Sequence, residues 1–213
     1  MKEVFEFLAR GGVIMIPIAL GSVIALTIFL ERIWSLQESR ILPSSLLDRV
    51  LDLVRGGETK TAREECLKSN TPLGRLLLTG LDAKSMTRAE MKSVLEESGR
   101  REVTRMERYI EAMGTTASVE PLLGLLGTVI GMIQVFQKVV VTSREGAVDP
   151  GLLANGIWQA LITTAAGLSV AIVAFIGYRY LLARSNRYAI EMEEGALKLV
   201  DSLCPMNTED EGE

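Results

Sequence analysis

Histidine is absent from the 213-residue sequence, and only Cys66 and Cys204 are cysteines. Without imidazole the chain has no Ser-His-Asp or Cys-His nucleophile, no histidine-based zinc site and no imidazole proton shuttle. Each cysteine stands alone in a polar segment, which predicts reduced, packed thiols rather than a disulfide. The sequence therefore predicts no catalytic residue, no metal site and no enzymatic activity.

Basic and acidic residues are dispersed, and their sum is a formal net charge of -4. No basic run is interleaved with aromatic residues, which excludes nucleic acid as an expected partner. Hydrophobic residues make up 48% of the chain, and the charged residues are kept out of a few long apolar runs. These features predict an integral membrane protein of the all-α class with three transmembrane helices.

The first apolar run, Gly11 to Leu30, has twenty uncharged residues. As a helix it would measure about 30 Å, the thickness of the hydrocarbon core of a bilayer. A cleaved signal peptide is the alternative, but no small-x-small cleavage site precedes Glu31-Arg32. Pro17 is expected to kink this span.

The predicted organisation follows from the remaining runs and from the polar segments between them. It comprises a periplasmic amphipathic segment (1–10), a first span (11–33), a cytoplasmic helical domain (34–116), a second span (117–139), a periplasmic loop (140–151), a third span (152–178) and a cytoplasmic tail (179–213).

Helical periodicity divides the cytoplasmic domain into short helices. We predict helices from Leu42 to Val54, from Lys60 to Leu67 and from Pro72 to Ala83. Thr87 and Glu90 then form a capping-box pattern. No strong stop signal follows, so one long helix is predicted to run from Thr87 through the second span, with Gly114 and Pro121 as permitted bends.

Basic residues near the ends of the spans predict the orientation, because they are enriched on the cytoplasmic side. One side carries Arg32, Arg40, Arg100, Arg101, Arg105, Arg108, Arg179, Arg184 and Arg187, and the other carries Lys2, Arg10, Lys138 and Arg144. The N-terminus is therefore predicted outside, and the C-terminal tail in the cytosol.

The second and third spans are rich in small residues at helical spacing. Small residues let two helix backbones approach in lipid, where no hydrophobic force drives association. The residues predicted to pack these helices are Gly124, Gly127, Gly131, Gly156, Ala160 and Gly167.

The candidate pore-lining residues within these two spans are four polar residues, Thr128, Gln159, Thr163 and Thr164. The rise per residue places Thr128 and Thr164 at nearly the same depth, with Gln159 nearer the midplane. Because buried polar groups in membranes tend to face a bundle interior, we interpret the four as a polar lining. The alternative is that the threonines only bond to their own preceding turn. Glu120 is placed at the cytosolic end, in reach of water, so a proton-carrying carboxylate would have to come from another chain.

Two motifs, PLLGLLGTVIGM (Pro121 to Met132) and GIWQALITTAAGL (Gly156 to Leu168), resemble the MotA/TolQ/ExbB proton channel family. The three-span layout is similar to that of ExbB and TolQ, and the resemblance covers the whole chain in architecture. Where those proteins carry a glutamate in the motif GIxEAL, this chain has Gln159, and an amide exchanges no proton at neutral pH.

The resemblance implies a homopentamer in the bacterial inner membrane, with the second and third spans lining a central pore. The pore would hold the single spans of two copies of an ExbD/TolR-like protein, whose aspartate would bind the transported proton near Thr128 and Thr164. No cofactor is implied, and a TonB/TolA-like protein is a further possible partner. The complex would do work on the cell envelope or on outer-membrane transport. The alternative function is a non-conducting membrane scaffold that docks partners through its cytoplasmic helices.

Overall fold

The structure is a computed structural model that describes residues 12–142 and 150–205, and within these ranges every regular element is an α-helix. The predicted segment 1–10, the centre of the predicted loop 140–151 and the acidic C-terminal residues lie outside the described residues. The helices are α1 (Met15–Ser35), α2 (Glu38–Ile41), α3 (Ser44–Arg55), α4 (Thr59–Ser69), α5 (Pro72–Asp82), α6 (Arg88–Thr142) and α7 (Pro150–Leu203).

Three of the described helices, α1, α6 and α7, are long and apolar enough to cross a membrane. The all-α class and the three long apolar helices agree with the sequence analysis. Helix α1 begins at Met15, so Pro17 lies in its first turn. Since a first-turn residue needs no N–H for the helix ladder, Pro17 breaks no hydrogen bond in mid-span, and the expected kink has no basis there.

Helix α6 has 55 residues and would be about 80 Å long. The capping box at its start is confirmed: the Thr87 N–H donates to Glu90 Oε2 at 2.9 Å, and the Glu90 N–H donates to Thr87 Oγ1 at 3.3 Å. The helix continues past Gly114 and Pro121, as predicted. Helix α7 is similarly continuous over 54 residues.

The short helices differ from the prediction mainly at their ends. The predicted start at Leu42 is wrong, because Pro43 separates α2 from α3, and α3 begins at Ser44. The predicted stop is correct: α3 ends at Arg55, and Gly57 follows with a φ of +79°, which suits glycine. Thr71 caps α5, since its Oγ1 accepts from the Gly74 N–H at 3.1 Å.

The chain divides into two compact units. We call residues 12–31, 109–142 and 150–180 the apolar unit, and residues 32–108 and 181–205 the polar unit. Helices α1, α6 and α7 contribute to both, whereas α2 to α5 belong to the polar unit alone.

The polar unit has a core of large side chains, including Leu36, Leu76, Leu77, Tyr188 and Leu199. The same core contains the hydrogen bonds of the Tyr188 hydroxyl. The Tyr188 hydroxyl donates to the Leu36 carbonyl at 3.0 Å, which supplies a partner at the end of α1. Its oxygen also accepts from Arg184 Nε at 2.8 Å.

A buried ion pair also fixes α5 against α6 in the polar unit. The Glu102 carboxylate is 5% exposed. It accepts two hydrogen bonds from Arg75, at 3.1 and 2.5 Å, and one from Arg105 Nη1 at 2.8 Å. Three charge-assisted bonds offset part of the cost of burying this carboxylate.

The apolar unit has a different core. Ala25 of α1, Ala117 of α6 and Ala174 of α7 form a buried cluster in which each spanning helix contributes one methyl group. Large apolar side chains such as Leu122, Phe136 and Val173 are exposed on the outside of this unit. Such an arrangement suits helices that pack closely on each other and present their larger side chains to lipid.

Candidate functional site

Glycines on α6 face α7 along several turns. A Cβ at Gly124 would lie 3.0 Å from the Thr163 carbonyl oxygen and 3.1 Å from the Thr164 Cα. One at Gly127 would lie 2.5 Å from Thr163 Oγ1, and one at Gly131 would lie 3.3 Å from the Ala160 Cβ. A Cβ would overlap Thr163 at Gly127 and would be tight at Gly124 and Gly131, so the two helix backbones are in close contact here.

Glycines on α7 make the reciprocal contacts. A Cβ at Gly167 would lie 2.6 Å from the Glu120 carbonyl oxygen and 3.1 Å from the Gly124 backbone. A Cβ at Gly156 would overlap a methyl group of Val135, at 1.8 Å. The backbone atoms around Gly167 have no rotamer to escape into, so this contact is the least tolerant of a larger residue.

The three threonines have different surroundings. Thr163 is 1% exposed, and its hydroxyl donates to the Ala160 carbonyl at 2.7 Å. Thr128 is partly exposed and donates to the Leu125 carbonyl at 2.6 Å. Thr164 is also partly exposed, but it donates across to the Gly124 carbonyl of α6 at 3.1 Å. Two of these hydroxyls therefore bond within their own helix, and Thr164 joins the two helices.

The structure also changes the relative depths of these residues. Thr164 lies opposite Gly124, and Thr128 is four residues further along α6. The offset between Thr128 and Thr164 is therefore about 6 Å, one helical turn, rather than a shared level.

Gln159 lies further out than the sequence analysis placed it. Its side-chain amide lies against Gly12, where a Cβ would be 2.5 Å from Nε2. Gly12 precedes α1 and is the second residue of the twenty-residue apolar run. The amide is thus near the end of the first span rather than at its midplane.

Glu120 is the largest departure from the sequence analysis. Its placement in reach of water is wrong, because the residue is only 2% exposed in the structure. Its carboxyl lies against Gly21 in the middle of the first apolar run, where a Cβ would be 1.7 Å from Oε1. A carboxyl group is therefore enclosed between α1 and α6, at a depth where the sequence analysis expected none.

A signal for this position was present in the sequence. From Ala112 to Gln137, between Glu111 and Lys138, Glu120 is the only charged residue. Glu120 is nine residues after Glu111 and eighteen before Lys138, so it lies well inside the uncharged run. The sequence analysis took Glu120 itself as the cytosolic end of the span and so placed it too close to water.

In the described parts of the chain, no group of three or more cysteine, aspartate or glutamate side chains is arranged to hold a metal ion. The groups of interest in the apolar unit are the partly exposed hydroxyls of Thr128 and Thr164, the amide of Gln159 and the enclosed carboxyl of Glu120. These groups can hydrogen-bond to an ionisable partner, and the carboxyl can also exchange a proton.

The fold and these residues define a three-span helical membrane protein whose spans are packed through small residues and carry polar groups at depth. The model of the MotA/TolQ/ExbB proton channel family matches residues 68–194. The chain therefore belongs to this family and is of its ExbB/TolQ-like type.

Curated relatives agree with this assignment. A putative biopolymer transport protein, ExbB-like 1, from Synechocystis is 36% identical over 188 residues, which cover 85% of this chain and 71% of the relative. A putative biopolymer transport protein ExbB homolog from Methanothermobacter thermautotrophicus is 31% identical, over 85% of this chain and 63% of the relative. The Tol-Pal system protein TolQ of Haemophilus influenzae is 32% identical, over 78% of this chain and 68% of the relative.

Proposed function

We propose that this protein is the pore-forming subunit of a motor in the bacterial inner membrane, driven by the proton-motive force. Five copies would surround a central pore lined by α6 and α7, with the N-terminus periplasmic and the C-terminus cytoplasmic. An ExbD/TolR-like dimer would place its membrane spans in the pore, and a TonB/TolA-like protein would carry the work to the cell envelope or to outer-membrane transport.

The observation that carries this proposal is the position of Thr128 and Thr164. Both are partly exposed in the chain while lying beside a tightly packed glycine interface. A hydroxyl can donate to a carboxylate and accept from a carboxylic acid, so it can serve both protonation states of a partner's aspartate. In the single chain each hydroxyl donates to a backbone carbonyl, and its partly exposed oxygen can still accept from a polar group of a partner, which lipid does not supply.

The pore lining we propose consists of Thr128 and Thr164, with Gln159 nearer the periplasmic end. Thr163 was grouped with them in the sequence analysis, but in the structure it is enclosed against Gly127. We assign it to helix packing, together with the small residues around it. This difference makes Thr163 a matched control for Thr164, its neighbour in the chain.

The test replaces each threonine by valine, which has nearly the same shape and no hydroxyl. We expect Thr128→Val and Thr164→Val to assemble with the partner and to lose most of the work driven by the proton gradient. Thr163→Val should keep it, because the Thr163 side chain is enclosed against Gly127 and cannot reach a partner in the pore. The measurements are native mass spectrometry of the purified complex and an energised-uptake or envelope-integrity assay in cells.

Three outcomes would contradict the proposal. A stable monomer in native mass spectrometry would exclude the closed ring. Full activity in both Thr128→Val and Thr164→Val would make the two threonines packing residues. Normal assembly with a partner but no proton current in the wild-type complex would favour the non-conducting scaffold.

A further inference from the structure

The carboxyl of Glu120 occupies a recess that only glycine at position 21 provides. A Cβ at Gly21 would lie 1.7 Å from Oε1 and 3.0 Å from the carboxyl carbon. Oε2 is buried and has no hydrogen-bond partner in the structure. The group is thus enclosed by the protein and not paired through this oxygen, which is an unusual environment for an ionised side chain.

The depth of the recess follows from its neighbours. Gly21 is the eleventh of the twenty residues in the run Gly11 to Leu30, and ten residues of α1, about 15 Å, separate it from Glu31. On the other side, the Glu120 backbone contacts Gly167 of α7, far from both ends of that helix's apolar stretch. The carboxyl therefore lies near the middle of the hydrocarbon layer.

The charged groups on the three surrounding helices are distant. Along α1 the first is Glu31, ten residues or about 15 Å from Gly21, and along α7 it is Arg179, twelve residues or about 18 Å from Gly167. On α6 they are Glu111, about 13 Å before Glu120, and Lys138, about 27 Å beyond it. Within the described parts of these helices, no basic residue is close enough to pair with the carboxylate.

An ionised carboxylate in this position would lose its hydration and gain no counter-ion. Burial without a partner disfavours the charged form of an acid, and a neutral acid is far less costly to hold in an apolar site. One proton taken from water on either side of the membrane converts the carboxylate to the acid, with no other bond made or broken.

We propose that Glu120 is a proton-binding site contributed by this chain itself, its carboxyl held in the protonated form in the recess over Gly21. The site goes beyond the proposed function, in which a partner's aspartate carries the proton. It requires neither the partner nor the pore, so it can be tested on the purified chain alone.

Infrared spectroscopy of the full chain in lipid nanodiscs gives the first test. A protonated carboxylic acid has a carbonyl stretch separate from those of amides and carboxylates. We expect this band at neutral pH in the wild type and its loss in Glu120→Gln. Glu111→Gln, an exposed glutamate on the same helix, should leave it unchanged. An identical band in wild type and Glu120→Gln would overturn the proposal, as would its absence from the wild type.

Carbodiimide labelling gives a second test that needs no variant to fold. Dicyclohexylcarbodiimide partitions into membranes and reacts with protonated carboxyls there. Peptide mass spectrometry should find the adduct on Glu120 and not on Glu111, with less adduct as the pH rises. Gly21→Ala should reduce it, because the new methyl group would displace the carboxyl. No adduct on Glu120 at neutral pH would overturn the proposal. Protection by sodium at constant pH would also overturn it, because it would identify a metal-cation site instead.

Discussion

The apolar and polar units place most of their large side chains in opposite ways. In the polar unit, Leu76, Leu77 and Tyr188 fill the core. The apolar unit has a buried cluster of alanines and a few large buried side chains such as Ile110 and Met113, but most of its large apolar residues, such as Leu122 and Phe136, lie on the surface. In water, the hydrophobic effect drives large apolar side chains into the core of the polar unit. Lipid provides no such driving force, so the helices of the apolar unit associate through van der Waals contact between closely approaching backbones.

The polar unit should therefore be destabilised most by substitutions that remove volume, and the apolar unit by substitutions that add volume. Removing volume leaves a cavity in a core of large side chains. Adding volume separates helices that are held together by glycines. The comparison can be tested by making each kind of change in each unit.

The largest effect is expected from Leu77→Ala in the polar unit. Leu77 is fully buried, so its truncation should lower the free energy of unfolding by about 2–5 kcal/mol. Leu67→Ala is the control, because Leu67 is a leucine of the same unit that is 52% exposed, and its change should stay within about 0.5 kcal/mol. The measurement is the unfolding transition of the solubilised protein. Equal losses in the two variants would show that the polar unit lacks a specific core.

Glycine-to-alanine substitutions should change the stability of the two units by intermediate amounts and in opposite directions. Gly167→Ala should destabilise by about 1–3 kcal/mol, because its Cβ would meet backbone atoms of Glu120 and Gly124. Gly99→Ala should stabilise by about 0.5–1 kcal/mol, since the nearest atom outside its own stretch of helix, Leu76 Cδ1, would be 3.9 Å away and alanine favours the helix. Thermal unfolding midpoints of both variants check this. If Gly167→Ala raised the midpoint, the two helices would not be in backbone contact.

The smallest effect concerns Cys66 on α4. Burial, with a smaller contribution from the charge of Glu65, raises the pKa of this thiol to about 11. The folded chain thus holds its proton more tightly than the unfolded chain. The resulting stabilisation is complete below the ordinary thiol pKa and is lost as the pH rises from there towards about 11.

Alkylation with iodoacetamide measures this directly, because the thiolate is the reactive form. In a Cys204→Ser background, Cys66 should react slowly at neutral pH when folded and rapidly after denaturation. The reciprocal variant, Cys66→Ser, reports on the more exposed Cys204 as the control. Rapid modification of Cys66 in the folded chain would mean that the core of the polar unit admits water.

Most of the helical framework could be predicted from the sequence, because local rules determine it. Apolar periodicity located α3 to α5, and the Thr87 and Glu90 pair located the start of α6. The error at Leu42 came from neglecting Pro43, which restricts the residue before it and the helix around it.

The depth of polar groups was harder to predict, because it depends on register between helices. Rise per residue along one helix placed Glu120 near water, whereas its contact with Gly21 places it at the middle of another span. The sequence also grouped Thr163 with Thr164, although Thr163 is enclosed against Gly127 and bonds to its own helix, whereas the partly exposed Thr164 bonds to the Gly124 carbonyl of α6. Only contacts between residues far apart in the sequence determine the depth of Glu120 and the surroundings of Thr163 and Thr164.

The recess at Gly21 also has an evolutionary consequence. Because the carboxyl of Glu120 fills the space that a side chain at position 21 would need, the two positions are coupled in any descendant of this sequence. A lineage that replaces Gly21 displaces the carboxyl of Glu120 from its enclosed position, and a lineage that keeps the enclosed carboxyl must keep the glycine. Among relatives with the same three-span layout, residue identities at these two positions should therefore covary, with glutamate found only opposite glycine.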